Sequence, residues 1–142
     1  MLADAAGARY ERRCAGIAVG GGVPRLLLQA AREKRVEFFT STPLLAELTD
    51  ILGRRKFEKK IAASMLSVDQ LVDRYAELAV LVRPTRVPRI APDPDDDVVI
   101  GTALAAGADG VVTGDQPLLA VAAYEGVRIV RVSEAVREIT AG

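Results

Sequence analysis

The chain predicts an α/β fold, a single three-layer α/β/α domain over residues 1–142 with a mostly parallel, doubly wound sheet of four to five strands. Short runs of β-branched and aromatic residues alternate with helical-period segments, as strand–helix–strand units require. Several helix starts carry their own cap or proline directly after such a run. The chain shows neither an internal repeat nor a linker, and short crossovers of this kind are right-handed.

Taken in order, residues 1–13 have no hydrophobic period and read as a loose segment or a frayed helix. Ala15 to Val19 reads as a short strand, and Gly20-Gly21-Gly22 ends it before a helix from Pro24, RLLLQAAREK. Strand, glycine loop and helix in succession can cradle a phosphate. Neither a Gly-x-Gly-x-x-Gly spacing nor a Gly-Lys-Ser/Thr ending is present, so a plain turn is the better reading. Glu37 to Thr40 is a buried strand, followed by a helix from Thr42-Pro43 with Leu44, Leu45, Leu48, Ile51 and Leu52 on its apolar face. Glu47 falls little more than one turn into that helix.

Gly53 to Lys60, GRRKFEKK, reads as a solvated basic turn around Phe57; beside an acidic site, Arg54, Arg55 and Lys56 also suit a phosphodiester. Ser67-Val68-Asp69-Gln70 is a capping box for a helix to about Leu78. Ala79 to Val82 is a strand, and Pro84 and Pro88 bound a connector.

The block DPDDDVVIGTALAAGADGVVTGD, Asp93 to Asp115, follows. Asp93 suits the N-cap and Pro94 the first helical position, Gly107 the left-handed C-cap, and Val111-Val112-Thr113 a buried strand with Asp115 just past it. Asp95 and Asp96 lie where the helix dipole rewards acids, whereas Asp97, one position deeper, reads more as a site residue. Pro117 to Leu119 begins a short helix, Val127 to Val132 alternates as a strand, and Ser133 caps a last helix, EAVREIT.

Composition removes whole classes of chemistry. Nineteen basic and nineteen acidic residues cancel, so a polyanionic partner must be met by a local patch. No histidine is present, which excludes Ser-His-Asp, Cys-His and histidine-ligated zinc sites. The single cysteine, Cys14, forms no intramolecular disulfide and suits a reducing cytoplasm. No apolar run approaches the ~20 residues of a membrane-spanning helix. Chemistry therefore rests on carboxylates, hydroxyls or basic groups, of which only the carboxylates cluster conspicuously. A helix N-terminus and the C-terminal tips of parallel strands share one edge of an open α/β sheet, so Glu47, Asp97 and Asp115 are expected to converge there. Carboxylates in one cavity repel unless a hard cation such as Mg2+ or Mn2+ joins them, and such ions bridge to phosphate oxygens.

The run from about Gly21 onward, with GGVPRLLLQA, TPLLAELTDILGRRKF, the Asp93–Asp115 block and the closing strand and helix, resembles the PIN-domain nucleases, in the branch of VapC-like toxins of toxin–antitoxin pairs. The resemblance implies a Mg2+- or Mn2+-dependent endoribonuclease acting on RNA, a cognate antitoxin protein as partner, and a homodimer. It makes Glu47, Asp97 and Asp115 the second, third and fourth metal-binding acids. Relatives begin with a strand ending in Asp-Thr-Asn, whose aspartate is the first ligand. Residues 1–20 lack that motif, and Asp4 and Glu11 precede the strand instead of ending it. The same residues therefore also fit a catalytically impaired RNA- or antitoxin-binding module. A receiver- or nucleotide-binding domain lacks its lysine and phosphate-loop signals here.

Overall fold

A computed structural model describes residues 2–3, 9–10, 12–15 and 25–141. Two-residue strands β1 (Leu2–Ala3) and β2 (Arg9–Tyr10) pair antiparallel. The main sheet follows with β3 (Arg12–Ala15), β4 (Val36–Thr40), β5 (Ala79–Leu81), β6 (Gly110–Val112), β7 (Ala123–Tyr124) and β8 (Val127–Val130). Its order is β5-β4-β3-β6-β8-β7, parallel throughout except for the β7–β8 hairpin.

Six strands thus replace the expected four to five. The additional one is β7, two residues long, set by its pairing with β8 and too short to show any alternation. The first strand also begins earlier than its composition suggests. Arg12 and Arg13, in the segment expected to be loose, pair with Val36 and Glu37, and Cys14 pairs with both Phe38 and Gly110. A strand flanked on both sides is held by its ladders, so charged residues do not veto it. Residues 16–24, with the glycine loop and most of the strand expected there, lie outside the described residues.

The helices are α1 (Arg25–Arg32), α2 (Thr42–Leu52), α3 (Glu58–Ser64), α4 (Val68–Leu78), α5 (Pro94–Ala106), α6 (Gln116–Leu119) and α7 (Val132–Ala141). The Ser67 capping box forms in full: its hydroxyl accepts from Gln70 N at 3.1 Å, and Gln70 Oε1 accepts from Ser67 N at 2.8 Å. The basic run is solvated at every residue but Phe57, and it is more than a turn. Phe57 is 5 % exposed and closes a single 3₁₀ turn, Arg55–Phe57, from which α3 starts. Strand β8 stops at Val130 and α7 begins at Val132, so Ser133 lies in its first turn rather than at its cap.

Strand alternation divides the core. Phe38, Val112 and Val130 join Leu27 and Ala135 of α1 and α7, whereas Phe39, Val111 and Ile129 join Ile100 and Ala103 of α5 and Leu118 of α6. Both faces of the sheet are therefore apolar, and helix residues join the cluster on each, as is usual for parallel strands. A third cluster, Leu48, Val72 and Tyr75, joins α2 to α4. This architecture brings the starts of α2, α5 and α6 to the edge where the parallel strands end.

Candidate functional site

Helix α5 opens that edge. Asp93 has extended backbone, and its Oδ1 accepts from Asp95 N at 2.9 Å, with Pro94 in the first turn; the left-handed Gly107 (φ 61°) closes the helix. Asp95, Asp96 and Asp97 follow one another in the first turn, and about 100° of rotation per residue sends each side chain to a different neighbour.

Asp95 meets α2, sharing with Glu47 and Asp50 a cleft of about 210 Å³ that is floored by Leu44 and Val98. Asp96 meets Asp115. Burial, a hydrogen bond between the two carboxyls, and the charges of Asp115, Asp93 and Glu47 push Asp96 up to about 7. Burial and a facing carboxyl both disfavour the charged form, which is why this group holds its proton more tightly than an ordinary aspartate. Glu47 is also raised, first by burial and then by Asp95 and Asp93; Arg54 opposes this, and Asp115 adds to it.

Asp97 is placed differently from the sequence expectation. Its side chain is buried, 7 % exposed, and its Oδ1 accepts from Ile90 N at 3.2 Å and Ala91 N at 2.8 Å. Arg89 Nε lies 3.2 Å from Oδ2, yet Oδ2 has no hydrogen-bond partner, so this contact is an ion pair without hydrogen-bond alignment. The structure thus brings Glu47, Asp96 and Asp115 towards one another, while Asp97 fastens the chain leading into α5.

Asp115 itself is held by its own turn. Its N–H donates to Thr113 Oγ1 at 3.0 Å, and its Oδ2 accepts from Leu118 N at 3.0 Å, capping α6. The position of Glu47 depends on a buried link that the sequence reading missed. Ser41 precedes α2 but makes no side-chain cap; its Oγ lies 2.9 Å from Thr102 Oγ1. Thr102 donates its own hydroxyl hydrogen to Val98 O at 2.8 Å, so Ser41 is the donor to Thr102. Both residues are fully buried, and the bond pins the start of α2 to α5. A serine directly before Thr-Pro signals a cap in sequence, which hides this other use.

Arg54 and Arg55 are exposed and line a depression of about 460 Å³ with Glu58, Ile61 and Val68, and Lys56 Nζ sits 5.1 Å from the centre of the Phe57 ring. Arg54 is the one whose charge reaches Glu47.

The donors at this edge are carboxylate oxygens, the type a hard divalent cation takes. Among the described residues no three acids are gathered to coordination distance. Asp4 and Glu11 lie outside those residues, and no acid occurs from Arg12 to Arg32, so β3 ends without one.

A family model described as a PIN domain matches residues 16–117, which include Glu47, Asp96, Asp97 and Asp115. Comparison with curated proteins and with solved structures gave no match.

Proposed function

Because the chain belongs to the PIN-domain family, whose members are generally metal-dependent nucleases, we propose that it is an endoribonuclease using Mg2+ or Mn2+. The observation that carries this reading is the Asp96–Asp115 carboxyl pair at the strand ends, with Glu47 and Arg54 beside it.

Glu47, Asp96 and Asp115 would hold the metal, and Asp97, assigned that role on sequence, serves instead as a structural anchor. When bound, the cation supplies positive charge that polarises a phosphate oxygen and acidifies water. The side chains do the remaining work. Asp96, once deprotonated, and Asp115 would offer their carboxylate oxygens as ligands. The Ser41–Thr102 link holds the α2 and α5 walls at a constant separation, which keeps Glu47 in register with Asp96. Arg54, Arg55 and Lys56 offset the acids for an arriving phosphodiester.

Asp96→Asn and Asp115→Asn are each expected to lower Mg2+- or Mn2+-dependent cleavage of a labelled RNA by at least about a hundredfold, since a displaced reacting group costs that much. Undiminished cleavage in both variants would overturn the assignment.

A second reading, a module that binds RNA or a protein without cutting, is favoured by the absence of any acid from Arg12 to Arg32. Calorimetric titration with Mn2+ separates the two: no binding at millimolar metal selects the module.

The toxin role and an antitoxin partner follow from the same family reading. A groove of about 340 Å³ between α1, α2, α3 and α4 supports it, with Leu28, Leu52 and Leu71 on its walls and Arg32, Lys60 and Arg74 at its rim. Such a groove suits an amphipathic acidic helix of an antitoxin or a second copy of the chain. No helix of the described residues is long and apolar enough to cross a membrane, which is compatible with a cytoplasmic RNA target.

A further inference from the structure

The connector from β5 to α5, VRPTRVPRIAP at residues 82–92, carries a threefold pattern that the carboxylate site does not use. Pro84, Val87 and Ile90 are partly buried, whereas Arg83, Arg86 and Arg89 are exposed. A repeat of three is the period of an extended polyproline II chain, and prolines at 84, 88 and 92 keep the residues before them out of the helical region. The inner side is fastened along its length. Val82 N donates to Thr40 O at 2.9 Å and Thr85 N to Gly101 O at 2.9 Å, and Ile90 and Ala91 donate to Asp97.

A fastened inner face leaves the arginines in a row on the outside, about 9 Å from one to the next at ~3.1 Å per residue. Arg89, at the inner end, is turned towards the helix start: it pairs with Asp97, and its Nη2 donates to Pro92 O at 2.7 Å. Among the described residues Arg83 and Arg86 carry no ion pair. The row then runs directly into Asp93 and the acids of α5.

Phosphate approaching that edge meets Glu47, Asp93, Asp95, Asp96 and Asp115, and a chain of zero net charge offers no general attraction to offset them. We propose that the connector is a track for the phosphate backbone of single-stranded RNA, with Arg83 and Arg86 as phosphate contacts and Arg89 as its anchored inner end. A single file of cations matches a linear polyanion, and each guanidinium can take a phosphate through two parallel hydrogen bonds. The track serves the nuclease reading above, because it delivers the strand to the carboxylate edge.

The test is binding of a fluorescein-labelled single-stranded oligouridylate to the full chain in EDTA, followed by anisotropy over a range of salt. Each phosphate contact on a single strand contributes about 0.7 to the slope of log affinity against log salt, so R83A/R86A is expected to lower the slope by about 1.4 and to weaken binding. The charge-conserving R83K/R86K is expected to keep most of the slope, and K34A, at the exposed turn before β4, all of it. Circular dichroism checks each fold; if the double alanine variant does not fold, Arg83→Gln and Arg86→Gln singly are each expected to remove about 0.7.

An unchanged slope in R83A/R86A, or an equal loss in K34A, overturns the track. So does an R83A/R86A variant that binds oligouridylate as tightly as the wild type but has lost binding of polyglutamate, which would make the row a dock for an acidic protein segment. Cleavage by the wild-type chain in Mg2+ or Mn2+ is scored separately. A slope that responds to R83A/R86A without any cleavage keeps the track and removes the nuclease reading, and cleavage with an unresponsive slope does the reverse.

Discussion

At the scale of the single residue, Asp96 and Asp97 differ in partner far more than in sequence. Asp97 is buried, with two backbone donors on one oxygen and Arg89 near the other. Its neighbour Asp96 is held protonated to higher pH by burial and by Asp115 beside it. The run of acids from Asp95 to Asp97 was legible as the first turn of a helix. Which acid faced the strand ends was not, because that depends on the rotation of α5 about its axis, which is set by what packs against it. Asp97→Ala leaves the buried Ala91 N–H without its acceptor and Arg89 without its counter-charge. The expected loss is about 1–3 kcal/mol in urea unfolding, the usual consequence of orphaning a buried donor. A loss below about 0.5 kcal/mol, typical of a solvated surface site, would show that the carboxylate does not hold the connector.

At the scale of the element, α5 was readable at both ends and opaque in its middle. Asp93-Pro94 and Gly107 mark the boundaries through chemistry local to a few residues, and the helix runs from Pro94 to Ala106 between them. Gly101, by contrast, lowers helix propensity by about 1 kcal/mol relative to alanine, with no sequence signal to explain it. The reason is the connector: Gly101 O accepts from Thr85 N, and a Cβ at Gly101 would lie 2.2 Å from Thr85 O. Backbone cannot yield as a flexible side chain does. Gly101→Ala is therefore expected to destabilise by about 1–3 kcal/mol, the overpacking cost exceeding the propensity gain. A melting temperature raised by the substitution would rule out the close approach. Helix α3 shows the opposite failure: GRRKFEKK concealed both a helix start and the burial of Phe57 behind its charges.

At the scale of the whole molecule, the carboxyl edge couples folding to pH and to metal. The folded chain holds a proton on Asp96 up to about pH 7, whereas an unfolded aspartate releases it near the ordinary value of 3.8. Between those values the folded state binds more protons, so this group makes stability fall as pH rises from about 4 to about 7. Above that range the exposed repulsion is what a divalent cation relieves. Thermal melts are expected to show a larger rise in melting temperature with Mn2+ at about pH 8 than at about pH 5, and Asp96→Asn is expected to flatten the metal-free decline between them. Equal metal effects at both values would separate the ion from the Asp96–Asp115 pair.

What the sequence determined by itself is whatever depends on neighbours along the chain: the α/β alternation, the Ser67 and Asp93 caps, the Gly107 stop, the exclusion of histidine chemistry, and the family that Glu47, Asp115 and the Asp93–Asp115 block announce. The tertiary structure alone decided that Arg12–Ala15 is the strand between β4 and β6, that Ser41 bonds Thr102 instead of capping α2, and that Asp96 rather than Asp97 stands beside Asp115. Each of these turns on a contact between residues distant in the chain. Local patterns specify the elements, but the rotation and pairing of one element against another come from packing, and at the edge of this sheet they set which carboxylates meet.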